Sequence, residues 1–222
     1  MITLPTRRRA IGMGAALAAM FAAGGMAAMA AAPALDFTTH AKFFTTEMGL
    51  PKVVDPQVFV ADAAAPDAMG PQGIHHVAGF RPAMPTDPAA TPLFTAVGKP
   101  LGVTLGAWFG ASGRVQLTPQ PGGAVKIVVD FAGLVPNGVY DLFENHFDQK
   151  PVGFTPLDGA GTQNRVNVGA DGRGHAELLA PAALTHDNAV LLVWHSDGIT
   201  HGAARGEIGV TAHHHLIARI PN

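Results

Sequence analysis

Residues 190–221 read VLLVWHSDGITHGAARGEIGVTAHHHLIARIP, and the fold class turns on how this run is parsed. Residues 189–194 are continuously apolar and rich in Val and Leu, the pattern of a strand covered on both faces, and Ser196-Asp197-Gly198 stops it. His195 therefore stands at the end of a buried strand. Residues 205–217 read as the next strand. Alternation puts Ile208, Val210, Ala212, His214 and Leu216 on one face and Glu207, Thr211, His213, His215 and Ile217 on the other. His213 and His215 are thus expected side by side, with Glu207 on their face.

Working outward toward the N-terminus, residues 102–109, 114–117, 125–131, 139–147, 164–168 and 175–179 are further strand candidates. They are separated by turn signals such as Gly122-Gly123 and Ala170-Asp171-Gly172-Arg173-Gly174. Seven or eight closely spaced strands with no amphipathic helix between them predict an all-β fold, an antiparallel Greek-key β-sandwich over residues 93–222. Residues 35–92 are expected to form an irregular N-terminal arm wrapped on that sandwich. Within it, 38–48 suit a short helix ending at Gly49, 57–61 suit one strand, and 63–92 are dense in Ala, Pro, Asp and Gly without a period. Trp108 and Trp194 are best placed in the core.

Residues 1–34 carry Arg7-Arg8-Arg9, an Ala/Gly-rich weakly apolar stretch and small-x-small positions at Ala28-Met29-Ala30 and Ala32-Pro33-Ala34. They resemble a twin-arginine export signal. The expectation is a periplasmic or secreted protein with no stable membrane anchor after cleavage. Without those three arginines the chain holds 11 basic against 16 acidic residues, a net charge of about −5 that disfavours a nucleic-acid partner. Zero cysteine excludes a disulfide framework and any thiolate ligand or nucleophile.

Four segments together resemble a known family. They are residues 129–138 (VDFAGLVPNG), Gly169-Ala170-Asp171-Gly172 before a strand, Leu192-Val193-Trp194-His195, and Gly206-Glu207-Ile208-Gly209-Val210. In this order they are similar to the Greek-key β-sandwich of copper/zinc superoxide dismutases and the related chordin-type domains. The resemblance puts His195 where that family carries a copper-binding histidine. Phe143 and Asn145 stand where the family has His-x-His, so what the resemblance implies is the fold and not dismutation.

The residues that suit chemistry are imidazoles. His195, His201, His213 and His215 are the candidate ligands of a transition metal, copper or zinc, because His-x-His on one strand plus a histidine from a neighbouring strand end can close a site. Glu207 is the next candidate, and Asp197 can orient an imidazole from behind. Glu144 and His146 share a face of the 139–147 strand, so His146 joins the metal set or pairs with Glu144 as an acid-base couple. His75-His76 read as loop histidines, since neighbours on a strand face opposite ways. Two rival readings remain: a cofactor-free envelope interaction or ligand-binding module, and a hydrolase using Ser196 or Glu144. Gly-x-Ser-x-Gly is absent, and whether the protein is an enzyme stays open.

Overall fold

A computed structural model describes residues 34–222 and Met1; the export signal expected over 1–34 lies outside the described residues apart from its two end positions. The chain enters through β1 (Leu35–Asp36) and β2 (Thr38–Thr39) into α1 (His40–Glu47), where the Thr39 hydroxyl accepts from Lys42 N–H at 3.3 Å and caps the first turn. Next come β3 (Asp55–Ala61), a ribbon of β4 (Ala68–Met69) and β5 (His75–His76), then β6 (Phe80–Ala83), β7 (Pro92–Phe94) and β8 (Pro100–Thr104). The last three join β3 in a sheet of order β6-β3-β7-β8. The expected arm therefore carries strands of its own between irregular stretches. The boundary expected after residue 92 falls inside β7, so strands from both sides of it share one sheet.

A short helix, α2 (Leu105–Phe109), follows β8, where a strand was expected to run on to Phe109. The reason is local: Thr104 is extended and its hydroxyl accepts from Ala107 N–H at 3.4 Å, starting a helical turn that buries Leu105 and Trp108. The main sheet is then built by β9 (Ser112–Pro119), β10 (Val125–Ala132), β11 (Val139–His146), β12 (Gly153–Pro156), β13 (Arg165–Val168), β14 (Gly174–Ala180), β15 (Asn188–His195) and β16 (Ala212–Arg219). The sequence reading missed β12, which lies in the 148–161 segment taken for a loop and pairs with β11. All the pairings are antiparallel, in the order β1-β9-β10-β14-β13-β11-β15-β16-β2. The far end, β2, lies against β9 near the other end, so the sheet is nearly closed. Among the described residues no helix is long and apolar enough to cross a membrane.

The centre of this sheet is covered on both faces. Tyr140 pairs with Trp194 and Leu142 with Leu192; these inward residues pack with Ile127, Val129 and Leu216. On the outer face Phe143, Leu191, Val193 and Ile217 pack with Phe43, Phe147 and Phe154. Each such aliphatic or aromatic burial contributes about 1.5–3 kcal/mol. That second layer explains why residues 189–194 read as a continuous apolar run.

The strand expected at 205–217 is shifted. It starts at Ala212, because Gly206 and Gly209 take φ of 81° and 80°, the left-handed region that ends an extended run. A bulge then interrupts the pairing: Val193 faces His214 while Leu192 faces Leu216, leaving His215 as the extra residue. His213, His215 and Leu216 consequently all point inward. His214 points outward with Ile217, not with Leu216 as simple alternation required.

Candidate functional site

The triple histidine is fully buried and divided between two environments. His213 Nδ1–H donates to Gln57 O at 2.9 Å, and its Nε2 lies 3.0 Å from the Ser196 hydroxyl. His215 Nε2–H donates to Trp108 O at 2.7 Å, and its ring stacks on the Trp108 indole at 3.7 Å and 5°. Its Nδ1 faces the Tyr140 hydroxyl at 3.4 Å. Burial drives both rings down to a pKa of about 4. They are neutral near pH 7, with their nitrogens engaged by protein groups.

His214, on the outer face, receives a hydrogen bond at Nε2 from Arg205 Nη1 at 3.0 Å, and its Nδ1 lies 3.4 Å from His40 Nε2. Its backbone N–H donates to Gln57 Oε1 at 2.7 Å. Gln57 thus ties β3 to β16 through both its carbonyl and its side chain. Burial lowers His214 well below the ordinary histidine range and His40 to about 3, in each case helped by a neighbouring cation or imidazole.

A second cluster sits at the end of β15. His195 and Asp141 are fully buried, with Nε2 and Oδ2 3.0 Å apart but out of line for a hydrogen bond. Both ring nitrogens of His195 and Oδ1 of Asp141 therefore have no hydrogen-bond partner. Thr200 donates to Asp141 Oδ2, and the His201 ring lies 5.1 Å from that of His195 while contacting Asp197 Oδ2 at 2.9 Å. The fold thus brings together His195, His201 and Asp197, as expected, and adds Asp141.

The rest of the expected metal set is elsewhere. Glu207 is exposed on the turn before β16, because that strand begins only at Ala212. His146 does share its face with Glu144, at 3.6 Å, but pairs with Asn188 at the far end of β15. At about 3.3 Å per residue that is roughly 23 Å from His195. Among the described residues no three His, Asp or Glu side chains form a group able to hold a metal ion.

The described residues hold several clefts. One of about 370 Å3 over β9 and β10 is lined by charges already paired at the surface, such as Arg114 with Asp36 at 2.8 Å. One of about 280 Å3 opens on Trp108 and His215, whose ring nitrogens are engaged. The third, about 440 Å3, lies between α1, β11, β12 and β16. Phe43, Phe44, Phe147 and Phe154 form its apolar walls, and His40, His214, Asn145, Glu47 and Arg219 its polar points. Arg219 pairs with Glu47 at 3.2 Å and lies over the Phe147 ring. Neither Ser196 nor Glu144 lines any of the three.

The sequence reading missed this cleft because its walls come from α1, the overlooked β12 and an outward His214. The aromatic run at 43–44 and Phe147 was its one legible trace. Comparison with protein-family models and with curated protein sequences gives no match.

Proposed function

We propose that this chain is an exported β-sandwich binding protein that captures a small, largely apolar ligand in the cleft beside α1 and needs no cofactor for it. The cleft carries the reading. Its volume of about 440 Å3 lies in the roughly 300–1,000 Å3 range of small-molecule sites, and four phenyl walls with a few polar points are their usual lining. The buried histidines serve the architecture instead, since His213 and His215 spend their nitrogens on Gln57, Ser196, Trp108 and Tyr140. Non-consecutive neighbours, β10 beside β14 and β11 beside β15, support the Greek-key form of the sandwich. Arg7-Arg8-Arg9 and the small-residue run after them support export to the periplasm or beyond.

The test is a fluorescence titration with N-phenyl-1-naphthylamine, a neutral apolar reporter, before and after dialysis against EDTA. Saturable binding at about one site per chain, unchanged by the chelator, is expected. A folded protein with no saturable binding overturns the reading.

Copper or zinc is the second reading, favoured by the unpartnered nitrogens of His195 beside Asp141 and His201. Imidazole and carboxylate are a donor set that first-row metals accept. It requires about one equivalent of metal per chain by elemental analysis, lost in His195→Ala and His201→Ala and kept in His215→Phe. Metal that survives His195→Ala removes this site.

A further inference from the structure

We infer that the cleft selects an organic monoanion, an apolar body ending in a carboxylate or similar group, and that the selecting device is a one-way chain of donors from Arg205 through His214 to His40. The inference deepens the ligand-binding reading and rests on it.

The direction of the chain follows from what each group can do. A guanidinium only donates, so His214 Nε2, 3.0 Å from Arg205 Nη1, must accept. A neutral imidazole carries one proton, which for His214 is then on Nδ1 and directed at His40 Nε2, 3.4 Å away. His40 accepts there, so its own proton is on Nδ1. That atom is buried with no hydrogen-bond partner. Burial and Arg205 hold His40 down at about 3, which keeps the ring neutral throughout the physiological range. The chain begins at a full positive charge and ends on an N–H that lacks an acceptor. Both histidines line the cleft.

Charge gives the same answer. Glu47 and Arg219, at the cleft wall, cancel each other. Arg205 makes no ion pair among the described residues; its guanidinium sits 3.2 Å over the Phe154 ring and is partly desolvated, which lowers it to about 10 and leaves it cationic. Arg205 is not itself on the cleft lining; it reaches the cleft through His214 and the Phe154 ring, and its charge has no carboxylate partner among the described residues. Four phenyl walls disfavour a strongly hydrated multivalent anion and favour a single charge on an apolar body.

The experiment compares two reporters of nearly the same shape on the full chain. One is 1-anilinonaphthalene-8-sulfonate, a monoanion; the other is N-phenyl-1-naphthylamine, which lacks the sulfonate. The wild type is expected to bind both, the anion at least about tenfold more tightly. Arg205→Gln is expected to weaken the anion selectively and bring the two affinities within about twofold, and His40→Phe is expected to lower the anion-to-neutral ratio likewise. Should those variants not fold, displacement of the neutral reporter from wild type gives the same answer, decanoate acting at about tenfold lower concentration than decanol. Equal affinity for both reporters, equal displacement, or a preference that persists in Arg205→Gln overturns the donor chain and leaves the binding reading standing. Failure of both reporters to bind overturns both.

Discussion

The buried histidines make the stability of this protein depend on pH in a defined direction. His40, His213 and His215 sit at about 3, 4 and 4 in the folded chain, against about 6.5 when unfolded. Between about pH 6.5 and 4 the unfolded state binds more protons, so their contribution is complete above pH 6.5 and is lost as the pH falls. Asp55 works the other way. Burial raises it to about 6 against hydrogen bonds from Trp108 and Gln57, so its contribution is complete below about pH 4 and is lost as the pH rises through 6. These three rings against one carboxyl give a loss on the order of 4 kcal/mol between pH 7 and 5, and His214, also lowered by burial, acts in the same direction. Urea unfolding midpoints should fall steeply over that interval, and a flat profile contradicts the neutral, buried assignment. At this scale the sequence showed that His213 and His215 share a face and that His195 ends a strand. It could not show Gln57, because the residue that receives His213 lies 156 positions away, and no local pattern encodes that contact.

The element that departs most from its sequence pattern is β16. Alternation continued backward through Thr211, Val210 and Ile208, so the strand was expected to begin seven residues before Ala212, where it starts. The positive φ at Gly206 and Gly209 ends it, and glycine alone does not announce which sign it adopts. Gly209 is also tightly enclosed: a Cβ there would meet Ile74 Cγ2 at 3.0 Å, and its carbonyl accepts from Ala96 N–H at 2.8 Å. Gly209→Ala should cost about 1–3 kcal/mol and lower Tm by several degrees. Ala at the exposed Gly198, also at positive φ but with nothing within 4 Å, should cost only the backbone strain. Equal Tm values for the two variants would contradict the account of this turn. By contrast β10, β11 and β15 were legible within a residue or two, because burial on one or both faces imposes a pattern that short loops cannot imitate. α2 was not, since Leu105 to Phe109 is apolar enough for either state and only the Thr104 cap decides it.

For the whole molecule, the all-β class was legible from strand spacing, and the cleft was not. The segment expected to be an arm supplies α1, which packs on β16, and β3, whose Asp55 accepts from the Trp108 indole at 2.8 Å. These long-range pieces pack on the outer face of the sheet and leave an opening where phenyl walls meet His40 and His214. The central claim is that this opening is the binding site. It is tested most directly by amide NMR shifts of isotope-labelled protein titrated with N-phenyl-1-naphthylamine. The account predicts saturable shifts concentrated at Phe43, Phe44, Asn145, Phe154 and His214, with His195, His201 and the Trp108 end unmoved. Shifts centred on His195 and His201, or spread without saturation over the sheet, would contradict it.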